Sequence, residues 1–427
     1  MNQVEVGSGL SAYVRLLAHG PAARPFLAAV VARLPIAMAP IGMILLIQHI
    51  RGAYGIAGFV TGAYALGTAA GSPVWGRLMD RLGQPRVLIP TSLASATVLA
   101  ALAIAAVAGA PDPVLVVMAA VSGLAFPPIS PAMRAAWRVI FPDAESRRVG
   151  YALDATSVEL VFVGGPLLLS LLLALTPPVV PLLVTAALMA GGGLAFSSTS
   201  AARTWTPESR ASVAGDVHHG RKSAITAPGV FSVLAVMTVM SIGFGQLDTS
   251  MAATAGEVLG GTQRVGILFA SIAGGSAIGG LFYGTRHWGG DERRRVSRFL
   301  GVFAFFLACM SVLMLTESRP LWVMLPLLFL TGLTIAPALI MQQNLLDTLA
   351  PPNRVNEAQS FLTASNTSGA AAGTALAGIL IDYHGLSWSF AGAAIAVAMA
   401  ASIAFGSQRV WRAAIERNRP RVDAPAR

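Results

Sequence analysis

Stretches of about 20 apolar residues recur along the whole chain and are separated by short polar segments. Each stretch can cross a hydrocarbon layer of roughly 30 Å as a helix, and a helix pairs its backbone groups internally, as lipid requires. Transmembrane strands would show short alternating segments, whereas runs such as 114–126 and 321–330 do not alternate. The pattern therefore predicts an all-α membrane protein. Its twelve spans are predicted at 24–50, 55–77, 86–109, 113–136, 150–175, 178–198, 228–252, 264–285, 298–316, 321–345, 355–381 and 387–408.

Composition agrees with this class, because 55% of the residues are hydrophobic and only 11% are charged, against roughly 25% charged in soluble domains. The first apolar stretch is too long for a cleavable signal peptide and is interrupted by Arg33, so we expect it to remain as span 1. Cys309 is the only cysteine, which excludes intrachain disulfides and multi-thiolate metal sites. We expect no metal and no cofactor.

Basic residues define an orientation. If the N-terminus is cytoplasmic, all but four of the 29 basic residues fall on the cytoplasmic side, the exceptions being Arg33, Arg51, Arg264 and Arg319. This is the positive-inside pattern, and it predicts a multi-pass protein of the inner (plasma) membrane with both termini cytoplasmic. The net charge of +10 then faces anionic lipid rather than nucleic acid. A single lysine beside 28 arginines is typical of a GC-rich bacterial genome.

The chain divides into two similar halves. Residues 201–226 are polar and lack apolar periodicity, which predicts a flexible cytoplasmic linker between a bundle at 1–200 and a bundle at 227–408, with a basic tail at 409–427. Glycines of span 2 recur in span 8 at a constant offset of 208: Gly58, Gly67, Gly71 and Gly76 match Gly266, Gly275, Gly279 and Gly284. Such repeats are typical of transporters that rock two halves about a central site. We predict two pseudo-symmetric six-helix bundles in a monomer.

The loop after span 2 carries a motif whose key residues are Gly76, Asp80, Arg81, Gly83 and Arg86. It resembles the signature of the major facilitator superfamily, and the chain as a whole looks like a twelve-helix member similar to drug and metabolite efflux proteins. We interpret Asp80 as a latch that binds the positive dipole end of span 11 near Arg354 and closes the cytoplasmic gate. The alternative is that Asp80 and the arginines only fix topology.

The resemblance has departures. Proton antiporters of the superfamily typically carry an arginine in span 4, four residues before a glycine, and Ala119 stands at that position before Gly123. In span 5, Gly164, Gly165 and Pro166 are similar to the antiporter motif, but its later glycine pair is missing.

Few charges lie within the spans, where they are costly and normally paired. Arg33 and Glu159 lie at equal predicted depth in spans 1 and 5, so we predict an ion pair between them. The pair is either a static bridge or a proton-coupling site in which protonation of Glu159 frees Arg33. Asp154 lies one turn into span 5 and is expected to be solvated. Asp248, beside Gln246, either binds a cationic group or a proton, or faces outside water.

The superfamily resemblance implies that spans 1, 4, 7 and 10 line the pathway. Their candidate cavity residues are Met38, Met43, Phe126, Met237, Met240, Gln246, Met341 and Gln342. Methionines adapt to varied shapes, so this mostly apolar set suits small amphipathic molecules. The alternative is that the methionines face lipid or neighbouring helices. In span 11, we expect Asn366 to form a hydrogen bond across helices.

No enzyme motif is present. The only lysine, Lys222, does not lie in a phosphate-binding Gly-Lys-Ser/Thr loop, and no His-Glu-x-x-His sequence occurs. The leading hypothesis is a secondary transporter that exports small amphipathic molecules in exchange for protons. Uptake or facilitated diffusion of a metabolite is the second hypothesis, and a membrane receptor or scaffold that does not transport is the third.

Overall fold

The computed structural model describes residues 16–18, 20–141, 143–204, 225, 227–285, 291–351 and 355–418. These residues form helices and no strand. Twelve helical segments follow the predicted spans: α1 Gly20–Arg51, α2 Tyr54–Leu82, α3 Gln84–Val107, α4 in two parts Asp112–Leu124 and Ile129–Ile140, α5 Ala144–Leu175, α6 Val180–Ser197, α7 Val230–Glu257, α8 Val265–Thr285, α9 Glu292–Leu315, α10 Leu321–Leu349, α11 Val355–His384 and α12 Leu386–Gly406. A short helix Ser200–Thr204 follows α6, and α13 (Gln408–Asn418) follows α12.

The helices confirm the predicted all-α membrane fold. Within the described residues, ten of the twelve are long and apolar enough to cross a membrane. The remaining two, α2 and α11, are rich in small and polar residues and pack against each other. Several helices also extend past the apolar stretches, since α5 begins at Ala144 rather than 150. The predicted linker at 201–226 and the end of the predicted tail lie largely outside the described residues.

α4 is broken at Ala125–Pro128, between its two parts. Proline has no backbone N–H, so the carbonyl of Leu124 loses the partner that residue 128 would supply in a continuous helix. The indole Nε1 of Trp75, in α2, donates to that carbonyl at 2.5 Å. α2 therefore satisfies the backbone group that the break leaves open.

The sequence repeat corresponds to a repeated packing contact. A methyl group added at Gly67 or Gly71 of α2 would overlap the carbonyl oxygens of Ala120 or Leu124 in α4. In the second half, the same additions in α8 would overlap two carbonyl oxygens of α10: Gly275 on Phe329 and Gly279 on Leu333. Both pairs of helices thus approach to backbone contact through glycine at equivalent positions.

The molecule has two distinct ends. Odd-numbered helices from α1 to α11 finish at one end, which we call the Asp382 end. Even-numbered helices from α2 to α12 finish at the other end, the Asp80 end, where α13 also lies. The larger hydrophobic core joins the Asp382 half of α1–α6 to the whole of α7–α12. The Asp80 half of α1–α6 has a separate core around the fully buried Trp137, which contacts Phe26 and Phe141.

Candidate functional site

The two halves meet tightly at the Asp382 end, where α2 packs on α11. A methyl group on Gly58 would lie 2.6 Å from the carbonyl oxygen of Thr374, and one on Gly378 would overlap the carbonyl oxygen of Tyr54. The backbones are therefore in direct contact, with no side chain between them. This end of the α2–α11 interface is closed.

Asp382 reinforces that contact. Its carboxylate accepts hydrogen bonds from the backbone N–H groups of Tyr54 at 2.8 Å and Gly55 at 2.6 Å. The first amides of a helix have no partner inside the helix, and the residue before α2, Ala53, supplies no side-chain cap. Asp382 thus caps α2 from the other half of the molecule, where its charge also meets the positive end of the helix dipole.

α5 and α8 form a second contact of the same kind. The hydroxyl of Ser170, in α5, accepts from the N–H of Gly266 in the first turn of α8 at 2.6 Å. A methyl group on Gly266 would lie 2.8 Å from the carbonyl oxygen of Pro166. Each of these two contacts between halves includes a side chain that caps a helix of the opposite half.

The same helices are exposed toward the Asp80 end. Leu66 and Val74 of α2 are 52% and 53% exposed, and a methyl group added at Gly76 would find no atom within 4 Å. In α11, Thr363 and Ala364 are exposed, whereas Gly373 and Thr374 are buried. The packing between α2 and α11 therefore belongs to their Asp382 halves.

The predicted gating motif lies at this open end. α2 continues to Leu82, and Gly83 ends it with φ 89°, a backbone conformation that favours glycine. Arg81 and Arg86 are exposed and Asp80 is half-buried. The proposed partner of Asp80, near Arg354, lies outside the described residues, so the latch stays a prediction.

A cavity of about 500 Å³ lies between the Asp80 half of α4 and that of α5. Its lining residues are Ser130, Arg134, Arg138, Tyr151, Asp154, Ala155 and Val158. The Nε of Arg138 donates to the hydroxyl of Tyr151 at 3.2 Å. Asp143 starts α5 by accepting from the N–H of Ser146 at 2.7 Å, which lowers the pKa of its carboxyl. That cap fixes the start of the helix that carries Tyr151 and Asp154.

Arg33 pairs with Asp154, so the predicted Arg33–Glu159 pair is wrong. The Nη1 of Arg33 lies 2.7 Å from Oδ1 of Asp154 and its Nη2 lies 3.3 Å from Oδ2. Ser157 accepts a further bond from Nη1 at 3.2 Å. Arg33 is 1% exposed and Asp154 is 5% exposed, so Asp154 is also not the solvated residue that the sequence predicted.

The correction follows from helix geometry. Five residues turn an α-helix by about 140° beyond one full turn, so Asp154 and Glu159 project from different faces of α5. The α1-facing stripe of α5 contains Asp154, Ser157 and Gly165, and a methyl group at Gly165 would lie 2.9 Å from the Cβ of Ala37. Depth from the helix start, on which the prediction relied, does not distinguish faces.

Asp248 is exposed although its neighbours Leu247 and Thr249 are buried. Among the described residues, no hydrogen bond or ion pair to its carboxylate is found. Its position on α7 lies beside the face that contacts α11, since Ser241, seven residues earlier, donates to Asn366 of α11 at 2.7 Å. That bond confirms the prediction that Asn366 bonds across helices.

Most of the predicted cavity-lining residues pack between helices in this structure. Seven of the eight are 0–2% exposed, namely Met38, Met43, Met237, Met240, Gln246, Met341 and Gln342, and only Phe126 is partly exposed. For example, the amide nitrogen of Gln342 lies 3.1 Å from the sulfur of Met240. In this conformation the seven residues pack against neighbouring helices, as the alternative interpretation expected, and their role in lining a transport pathway stays a prediction.

Sequence reasoning missed Asp382, Arg134, Arg138 and Tyr151. Asp382 lies one residue beyond the predicted end of span 11, so it was treated as part of a loop. The two arginines were assigned to topology alone, although their spacing of four residues places them on one helix face. No group of three or more metal-binding side chains occurs within the described residues.

Comparisons with known proteins agree with this architecture. The sequence profile of the Major Facilitator Superfamily matches residues 25–304 and 286–426. The fold is similar to that of a bacterial homolog of the human lysosomal transporter Spinster, in an inward-facing and occupied conformation, with a TM-score of 0.71, 13% identity and coverage of 96% of this chain and 99% of that chain. It is similar also to the nucleoside transporter NupG, with a TM-score of 0.69, 12% identity and coverage of 92% and 99%. It is similar as well to a bacterial homologue of the iron transporter ferroportin in an inward-facing state, with a TM-score of 0.62, 16% identity and coverage of 94% of this chain and 99% of that chain. No curated protein sequence matches the chain.

Proposed function

The chain belongs to the Major Facilitator Superfamily of membrane transporters, and from this we propose that it is a secondary transporter that works by alternating access. The observation that carries the proposal is the contrast between the two ends of α2 and α11. Their Asp382 halves are in backbone contact, whereas their Asp80 halves are exposed, and a cavity lies between α4 and α5 in the same half of the molecule. A protein that opens each end in turn would pass through this arrangement.

The arginine distribution supports a location in the inner (plasma) membrane, with the Asp80 end and both termini on the cytoplasmic side. The three exceptional arginines of the Asp382 end are all satisfied locally. Arg51 pairs with Asp112 at 2.9 Å, Arg264 donates to the carbonyl of Leu259 at 2.7 Å, and Arg319 donates to that of Thr316 at 3.2 Å. In this orientation the cavity lies in the cytoplasmic half of the molecule, and the Spinster homolog with a similar fold is in an inward-facing conformation.

Proton exchange is the proposed driving reaction, and Asp154 replaces Glu159 as its proposed site. Asp154 is bonded to Arg33 and also lines the cavity, so a proton that enters the cavity can reach it. Protonation removes the charge that holds Arg33, and a buried arginine without a counter-ion favours a rearrangement of α1 against α5. Asp248, exposed on α7, is a second candidate for a charged substrate group or a proton.

We propose export of a small amphipathic molecule by a monomer. A cytoplasm-open cavity is the loading state of an exporter, and its lining combines charged groups with Ala155 and Val158. Uptake or facilitated diffusion is the alternative, in which this same state releases substrate. A protein that binds without transporting is the third.

The test is a substrate screen in proteoliposomes under an imposed pH gradient. We expect at least one amphipathic compound to move across the membrane from the side that the Asp80 end faces to the other side. The pH dependence of this flux should be lost in Asp154→Asn. Glu159→Gln is the matched control, since Glu159 lies off the Arg33 face, and it should retain coupling. Equal pH dependence in Asp154→Asn and wild type would overturn the coupling site, and no flux with any compound would favour the non-transporting protein.

A further inference from the structure

We propose that the cavity between α4 and α5 binds the anionic head group of an organic ligand, a carboxylate or a phosphate, through Arg134, Arg138 and Tyr151. The proposal rests on the transport function given above and names its substrate class. It assigns a ligand-binding role to two arginines for which a topological role is the simplest alternative.

The charge balance of the cavity favours an anion. Its charged lining residues are Arg134, Arg138 and Asp154, and both oxygens of Asp154 are bonded to Arg33. Among the described residues, neither Arg134 nor Arg138 forms an ion pair with a carboxylate. Two exposed guanidinium groups four residues apart repel each other. An anion between them relieves that repulsion, whereas a cationic ligand would add to it.

The geometry favours recognition of a planar or tetrahedral oxyanion. The Nε of Arg138 donates to the hydroxyl of Tyr151, which restrains the side chain and leaves its two terminal nitrogens to donate elsewhere. Because the Tyr151 oxygen accepts that bond, its own hydrogen can be donated to a ligand. Arginine binds carboxylates and phosphates through two parallel hydrogen bonds, and Arg134 lies on the same face one turn away.

The apolar residues of the cavity lining favour a ligand whose remaining part is apolar. Ala155 and Val158 continue the cavity wall beyond Asp154 on α5, and the cavity volume of about 500 Å³ lies within the range of roughly 300–1,000 Å³ that small-molecule sites occupy. The ligand that fits both parts is an amphipathic organic anion. It reaches the cavity either as a cytosolic solute or as an anionic lipid from the bilayer, since both present the same head-group chemistry.

The experiment measures equilibrium binding to the full chain in nanodiscs of zwitterionic lipid, with three probes that share one ring system. These are 2-naphthoate, 2-naphthamide and 2-naphthylmethylammonium. We expect 2-naphthoate to bind about tenfold or more tightly than the other two, because hydrogen bonds between charged partners are the strongest of the possible contacts. Its affinity should fall as salt is raised.

Variants locate the site. Arg134→Gln and Arg138→Gln should each weaken 2-naphthoate binding about tenfold, and Arg138→Lys should be intermediate because it keeps the charge without the two-pronged geometry. Arg409→Gln is the control, since Arg409 is exposed on α13 at the same end of the molecule. Equal affinity for all three probes would overturn the proposal, and so would an unchanged affinity in both cavity variants. Unchanged thermal unfolding midpoints show that the variants fold.

A second arm separates the two sources of the anion. In nanodiscs that contain phosphatidylglycerol, competition against 2-naphthoate that disappears in Arg134→Gln identifies a lipid head group as an occupant, and absence of competition identifies a soluble anion. Both results retain the anion site. Binding of 2-naphthoate without flux in the proteoliposome screen would contradict the transport function and support the anion site. Flux without any preference for the anion would support the transport function and contradict the anion site.

Discussion

The two ends of the α2–α11 pair use the same helices in opposite ways. At the Asp382 end, glycines bring the backbones together and Asp382 caps α2 from the other half. At the Asp80 end, helices of the first half pack around a separate core of their own, which contains Trp137. The N-terminus of α5 at that end is capped locally by Asp143, which belongs to the same half. Caps that cross between halves thus mark the closed end, and local caps mark the open one.

The cap from Asp382 is the part of the closed end whose energetic contribution can be estimated most directly. The closed end combines close backbone contacts and a few hydrogen bonds with the larger hydrophobic core that joins the two halves. A hydrogen bond to a charged group contributes about 1.5–3 kcal/mol, and each 1.4 kcal/mol changes an equilibrium tenfold. Loss of one such cap is therefore enough to shift the balance between two conformations measurably.

The largest expected effect comes from breaking the backbone contact. Gly378→Val places a side chain onto the carbonyl of Tyr54, which cannot move aside as a side chain would. Such overpacking costs about 1–3 kcal/mol or more, so the Asp382 end should open. Spin labels at Phe59 and Leu376, in a Cys309→Ala background, should report a longer distance between α2 and α11.

Gly76→Ala is the control for that experiment, because a methyl group at Gly76 meets nothing. It should leave the distance distribution unchanged and stabilise α2 slightly, by up to about 1 kcal/mol. If Gly378→Val left the label distances as they are in wild type, the closed end would not depend on backbone contact.

A smaller effect is expected from removal of the cap between halves. Asp382→Ala should shift the ratio of the two states toward an open Asp382 end by about tenfold to a hundredfold. Asp382→Asn keeps one acceptor oxygen and should shift it less. Glu317→Ala removes an exposed carboxylate at the same end and should have no effect in the same label measurement. An equal response to the Asp382 and Glu317 variants would contradict the role of Asp382 as a cap that holds the two halves together.

The smallest effect is expected at the local cap. Asp143→Ala should lower the free energy of unfolding by about 1 kcal/mol without changing the label distances. The bond from Ser146 lowers the pKa of Asp143 in the folded protein, so its contribution is present above the unfolded pKa of about 3.9 and is lost as the pH falls through the folded value. Unfolding followed from pH 7 to pH 3 should therefore show the variant and wild type converge.

Sequence reasoning found the elements that depend on local pattern. The spans follow from apolar length, and the glycine repeat between spans 2 and 8 became the Gly67–Ala120 and Gly275–Phe329 contacts. Apolar length and glycine spacing can each be read from the sequence of a single helix. The motif residues around Asp80 were also located, at the end of α2.

Partners between helices were harder to predict. Asp154 and Glu159 are both carboxylates of α5, and only the rotation of the helix against α1 selects the first. Asp382 caps α2 because Ala53 supplies no side-chain cap of its own and α11 ends nearby. Burial of Met38 and Met240 depends on how neighbouring helices pack against their own, which the pattern within one helix does not specify.

The break in α4 separates two tasks within one span. The part at Asp112–Leu124 belongs to the core that closes the Asp382 end, whereas the part at Ile129–Ile140 carries both cavity arginines. In a continuous helix the backbone hydrogen bonds would join the two parts, but the Ala125–Pro128 break interrupts that series, and Trp75 donates to one of the carbonyls that it leaves open. Under the proposed function, substitutions in the Ile129–Ile140 part change the ligand preference, while the Asp112–Leu124 part keeps its close backbone contact with Gly67 and Gly71 of α2.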